Sequence, residues 1–213
     1  MAYAAVLLAV AFFSHQRLFG VDWLSAGRMQ AGMVIEGEWW RIFTALTLHL
    51  DAAHLLSNVV FGSVLGALAA QALGGGVSWL GIVLAGGLGN GLNAVVQNPR
   101  HSAIGASTAV FAALGIMVAH ALYYRRRLPG GRARRWSPLI GGLLLLAFVG
   151  MGGARTDVMA HVTGLFCGLL VGFVGSRLSP DLLARREVQI GAAIAVVLIL
   201  VSGWWVALFS ESI

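Results

Sequence analysis

The sequence predicts an all-α fold, a polytopic bundle of membrane-spanning helices. Three observations carry the prediction. The 213 residues are 59% hydrophobic and only 10% charged, with a mean hydropathy of +0.86, more apolar surface than a soluble domain can hide in its core. Uncharged stretches of about 20 residues recur along the chain, each long enough to cross a bilayer. Arginines crowd the connections between those stretches, as the positive-inside rule requires.

The first element is the apolar run Met1 to Phe13, which has the length of a signal-peptide core but neither a basic start nor a small-residue cleavage site. It is expected to be a helix, extending to about Phe19 if Arg17 snorkels to the interface. From Ala52 to Pro99 no Asp, Glu, Lys or Arg occurs, room for two helices with a hinge at Gly74 to Gly76. His101 to Tyr124, Trp136 to Ala154, Val158 to Ser176 and Ile190 to Phe209 each suit one further helix. The expected sum is seven spans. Cys167 is the single cysteine and lies in an apolar span, so neither a disulfide nor a cysteine metal site is implied.

Arginine placement orients the bundle. All 14 basic residues are Arg, giving a net charge of +6. Arg125, Arg126, Arg127, Arg132, Arg134 and Arg135 follow the fourth span, and Arg177, Arg185 and Arg186 follow the sixth, so both connections are expected in the cytoplasm. A topology signal accounts for these clusters without a nucleic-acid partner. The N-terminus is then cytoplasmic, and spans two, four and six run in parallel from outside to inside. The all-Arg usage suggests a GC-rich bacterial genome, and with it the inner (cytoplasmic) membrane as location.

Intramembrane polar residues fall at one depth. His54 is the third residue of its uncharged stretch, Ser107 the seventh and His161 the fourth, within roughly 10 Å of one another along the bundle by helical rise. Such groups are costly in hydrocarbon and usually face a bundle interior or a watery cavity. A lone Gly-x-Ser is weak evidence in a chain with 29 glycines, and a single buried His or Asn commonly serves helix packing. Together they read differently. Ser107 becomes a nucleophile if an imidazole takes its proton, which His161 can do from a parallel helix. His54 and Asn58, at i and i+4, share a helix face and suit an oxyanion, to which the Ser107 backbone N–H adds a donor. Asp157 stands beside Arg155 at the membrane boundary and reads as a solvated loop charge, leaving a Ser107–His161 dyad in place of a triad.

These residues, in order and spacing, resemble the rhomboid family of intramembrane serine proteases over most of the chain. Trp40-Arg41 resembles the family's loop motif, and His49 with His54-Leu-Leu-Ser-Asn58 its second-span pattern. Gly105-Ala106-Ser107-Thr108 matches its Gly-x-Ser-x nucleophile, and Ala160-His161-Val162-Thr163-Gly164 its Ala-His-x-x-Gly. The resemblance implies Ser107 as nucleophile, His161 as base and His54 with Asn58 as oxyanion stabilisers. Gly105, Phe111 and Gly164 support them, Phe111 where the family often packs an aromatic ring on the catalytic His. Gly164, Gly168 and Gly172 let one face of span six approach span four closely. Thr108 departs from the glycine frequent after the nucleophile.

The expected architecture is a six-helix rhomboid core, residues 1–180, plus one added C-terminal transmembrane helix in 181–213. The expected activity is hydrolysis of a peptide bond in or near the transmembrane segment of a membrane protein. The active site would lie near the outer, periplasmic face, with no metal and no cofactor. Its partners would be the lipid bilayer and transmembrane substrates. Two other readings are open: a catalytically inactive rhomboid-like protein that binds membrane clients, and a small proton-relaying transporter, which the lack of intramembrane Asp or Glu disfavours.

Overall fold

A computed structural model describes residues 2–125, 131–150 and 156–209. Arg126, Arg127 and Arg155 lie outside the described residues. Among the described residues the fold is helical apart from one two-stranded ribbon. Five helices are long and apolar enough to cross a membrane: α5 (Ala52–Leu73), α6 (Gly75–Val96), α7 (Ser107–Arg125), α9 (Val158–Gly175) and α11 (Arg186–Phe209). Two more are apolar in part. Helix α1 (Ala2–His15) has 14 residues, a rise of about 21 Å that falls short of a bilayer's hydrocarbon core. Helix α8 (Arg132–Gly150) carries the predicted fifth span behind an arginine-rich first turn, and 151–154 lie outside the described residues.

The first helix does not extend to Phe19 as the sequence suggested. Arg17 and Phe19 both take left-handed backbone angles, φ 46° and 65°, which no α-helix accommodates, so the chain turns after His15. The hinge between α5 and α6 is Gly74 alone, at φ 81°; Gly75 and Gly76 already belong to α6.

Residues 16–51 fold into a compact cap. It contains α2 (Trp23–Gly27), β1 (Met29–Gln30), α3 (Ala31–Ile35), α4 (Arg41–Thr44) and a 3₁₀ turn at Ala45–Thr47. Arg41 holds these pieces together. Its guanidinium is buried, pairs with Glu38 at 2.6 Å and donates to the carbonyls of Ser25 and Arg28. A buried cation is tolerable only when so satisfied. Thr44 adds a 2.7 Å bond to the Gly27 carbonyl. Strand β1 pairs antiparallel with β2 (Ser102–Ala103), so the cap is stitched to the segment that precedes Ser107.

Acids cap the starts of α5 and α9. Asp51 accepts from His54 N at the head of α5, and Asp157 accepts from Ala160 N at the head of α9. Asp157 is also where the sequence reading needs correction. It is a half-buried hub, not a solvated loop charge: its Oδ2 accepts from His101 Nε2 at 2.7 Å and from Asn93 Nδ2 at 2.9 Å. The hub ties α9, α6 and the loop before α7 into one unit. The short helix α10 (Pro180–Ala184), capped by Ser179, links α9 to α11.

Helices α7 and α9 form the centre of the bundle, with α6 on both and α5 against α6 and α7. Their contact is built on glycine. A Cβ on Gly164, Gly168 or Gly172 would collide with the backbone of Thr108, Ala112 or Ile116, and one on Gly115 with the Leu165 carbonyl. Backbone-to-backbone contact of this kind is how helices associate where lipid removes the hydrophobic drive.

Burial alone would raise the Asp157 carboxyl, but hydrogen bonds from Ala160 N–H, His101 and Asn93 outweigh it and hold the group below the usual carboxylate range. The unfolded group titrates near 3.9. Its stabilisation is therefore complete above about pH 4 and is lost as pH falls through the lower folded value. Asp157→Ala is expected to lower stability by about 1–2 kcal/mol at neutral pH. Thermal unfolding in detergent should separate variant from wild type at pH 7 and bring them together in strong acid; equal stability at pH 7 would contradict the hub.

Candidate active site

Of the residues singled out by sequence, His54, Asn58, Gly105, Ser107, Phe111 and His161 line one cavity of about 770 Å³, whereas Gly164 does not. The N-terminal ends of α5, α7 and α9 meet at this cavity, and since Gly164, Gly168 and Gly172 face Thr108, Ala112 and Ile116 in the same order, α7 and α9 run parallel.

Ser107 is the first residue of α7 and half-buried. Its N–H is among the four at a helix start with no intrahelical acceptor, and the positive end of the helix dipole lies there. The turn leading to it is held from both sides. Gly105 donates to the Ala45 carbonyl at 2.9 Å, and Ala106 N approaches His49 Nε2 at 3.5 Å. Gly105 must be glycine twice over. Its φ is +125°, and a Cβ there would stand 2.7 Å from the His54 ring.

His161 is buried on α9 beneath Phe111, ring centroids 4.5 Å apart. Its Nδ1 lies 2.8 Å from the Gly150 carbonyl. A carbonyl can only accept, so Nδ1 carries the proton, which leaves Nε2 with a free lone pair in the neutral ring. A backbone carbonyl at the end of α8 thus does what a carboxylate does in a triad: it fixes tautomer and ring orientation. Ser107 and His161 share the cavity wall and are not hydrogen-bonded to each other.

His54 is half-buried with its ring against Gly105, while Asn58 is buried one turn on. Asn58 uses one amide hydrogen on the His54 carbonyl at 3.0 Å, so the second is free for the cavity. Tyr3 of α1 donates to the Asn58 carbonyl at 2.9 Å and fastens α1 to this part of α5. Gly164 lies on the buried face of α9 against Thr108.

Three contributors escape a reading of the sequence. Gly150 acts through its backbone, which has no residue signature. His101 and Asn93 join the site's frame through Asp157, 56 and 64 residues away in sequence. The signal that was available is Asp157 itself, an Asp directly before an apolar run, the usual mark of a helix cap. His49 was visible only as part of a motif. It sits outside the spanning helices with its ring 5.1 Å from that of His54, and burial, then repulsion from His54, push it down to about 4.

Comparison with known proteins gives concordant matches. The rhomboid domain matches residues 36–178, more than half of the chain. Rhomboid protease GluP of Bacillus subtilis (strain 168) is 31% identical over 142 residues, covering 67% of this chain and 27% of that protein. The putative rhomboid protease YdcA of the same organism is 28% identical, covering 66% of this chain and 69% of its own length. Rhomboid-like protease 1 of Toxoplasma gondii is 27% identical, covering 67% of this chain and 49% of that protein. The chain thus spans about a quarter of the first of these relatives and half of the third. With its long apolar helices, small-residue helix contacts and matched domain, this multi-pass membrane protein belongs to the rhomboid family.

Proposed function

We propose that this chain is an intramembrane serine endopeptidase that cleaves transmembrane protein substrates with a Ser107–His161 dyad. The observation that carries the reading is the His161 ring, locked by Gly150 with a free Nε2, on the same cavity wall as a serine at a helix start. In the proposed reaction Ser107 Oγ attacks the scissile carbonyl carbon as its proton passes to His161 Nε2. The tetrahedral oxyanion accepts hydrogen bonds from the Ser107 N–H, the Asn58 amide and His54. Collapse breaks the C–N bond, His161 returns the proton to the leaving amine, and water then hydrolyses the acyl-enzyme by the same proton route.

The cavity suits an unwound peptide more than a helix. Its polar end holds the dyad, and its apolar end is walled by Phe61 and Leu65 of α5 and by Leu145 and Val149 of α8. Phe61, Leu145 and Val149 also present exposed surface, so the gap between α5 and α8 is the route we assign to a substrate arriving from lipid. A substrate helix must open to present its carbonyls, which favours segments with small or helix-breaking residues. In this reading the arrangement is a six-helix core, residues 1–180, with α11 as an added seventh span. The N-terminus is cytoplasmic and the site lies near the outer face of the inner membrane. Solvent reaches the dyad from that outer side.

Purified wild type is expected to cut a transmembrane reporter in liposomes and to react with a fluorophosphonate at Ser107. Ser107→Ala and His161→Ala should each lose about 10⁴-fold or more in kcat. His54→Ala and Asn58→Ala should lose about 10²- to 10³-fold in kcat with KM little changed. Binding of membrane clients without cleavage or labelling would favour an inactive rhomboid-like protein instead.

His49 adds a pH prediction. Its folded value lies below the unfolded value near 6.5, so the unfolded chain binds more protons between those two values. Stability should fall as pH drops from about 6.5 to about 4. His49→Gln should flatten that dependence in thermal unfolding; an unchanged slope would show that His49 is not the group responsible.

A further inference from the structure

Helix α11 lies beyond the residues matched by the rhomboid domain, yet both of its ends are bonded to the core. At one end Gln189 bridges the α5–α6 turn. Its Nε2 donates to the Leu73 carbonyl and its Oε1 accepts from Val77 N, serving one orphan group at the end of α5 and one at the start of α6. Gly76 has no room for a Cβ because the Gln189 carbonyl occupies that place.

The other end reaches the active-site frame. Trp204 is buried with Trp23, Leu48 and Ala207, its ring 4.6 Å from Trp23, and Ile104 packs against that cluster. Trp204 Nε1 donates to Thr47 Oγ1 at 3.1 Å, and Thr47 in turn donates to the Thr44 carbonyl at 2.7 Å. Thr47 therefore closes the 3₁₀ turn Ala45–Thr47. The Ala45 carbonyl of that turn accepts from Gly105 N. Gly105 is the residue with the greatest backbone freedom in the segment, two positions before the nucleophile, so its anchor sets where Ser107 stands.

We propose that α11 is a positioning element for the nucleophile. Trp204 holds Thr47, the Thr47 turn holds Gly105, and Gly105 places Ser107. Trp204 and Thr47 are positioning residues, since neither touches the reacting atoms. The assignment rests on the protease reading above for its chemical consequence, but its structural link is testable without it.

Trp204→Phe keeps an aromatic ring but removes the N–H together with the volume of the five-membered ring, a packing loss that the thermal midpoint reads; Thr47→Val keeps the shape and removes the hydroxyl, both the acceptor for Trp204 and the donor to the Thr44 carbonyl. Four quantities are read on the full chain in detergent: the rate of fluorophosphonate labelling at Ser107, hydrogen–deuterium exchange of the 103–106 amides, the KM for a transmembrane reporter, and the thermal midpoint. Each variant should label about three- to tenfold more slowly, with faster exchange at 103–106, reporter KM within about twofold, and the double variant no worse than Thr47→Val alone. Labelling at the wild-type rate, or slowed only in proportion to the unfolded fraction, overturns the proposal. If wild type itself does not label, the protease reading has failed. Exchange then decides the link alone: faster at 103–106 in both variants supports it, and unchanged exchange overturns it.

Discussion

Everything in this site depends on how closely α7 and α9 approach. In water two helices are driven together by apolar burial, but lipid solvates leucine as well as another helix does, so association needs close van der Waals contact. Gly115, Gly164, Gly168 and Gly172 supply it by bringing backbone against backbone along the length of both helices. A serine at the head of one helix and a histidine one turn into the other then face one cavity. Side chains any larger in that seam would set the two groups apart, and a misplacement of about 1 Å is costly for proton transfer.

Polar bonds finish what the glycine seam begins. Arg41 knits the cap, Asp157 joins α6, α9 and the loop before α7, and Gly150 sets the His161 ring. Each is a charged or carbonyl group answered by hydrogen-bond partners, which lowers the cost of keeping polar groups in a low-dielectric bundle. Rigidity of this kind suits acyl transfer, where donors aimed in advance at the developing oxyanion need no reorganisation. Helix α11 extends the same logic outside the matched domain, fastening one end of the bundle through Gln189 and the Ala45–Thr47 turn through Trp204.

Much of this was legible in the sequence because helical rise is a ruler. The places of His54, Ser107 and His161 within their uncharged stretches put them at one depth, and the five long helices follow from hydropathy alone. Cap and frame were not legible. Residues 16–51 have no periodicity to read, and their order comes from Arg41 and Thr44 reaching carbonyls 13 to 17 residues away. The end of α1 was misjudged because apolar composition continues past His15 while the backbone does not: Arg17 and Phe19 turn left-handed. Asp157 was misjudged because its weight lies in partners distant along the chain, and an acid beside an arginine resembles any surface pair.

The most direct measurement of this account is the rate of Ser107 labelling by a fluorophosphonate in two glycine variants, normalised to folded protein. Gly168→Ala places a Cβ where the Ala112 carbonyl stands, while Gly141→Ala on α8 meets open space. Labelling should collapse in Gly168→Ala and stay at the wild-type rate in Gly141→Ala. Wild-type labelling in Gly168→Ala would show that the α7–α9 approach does not set the pairing of Ser107 with His161, and would contradict the account at its centre.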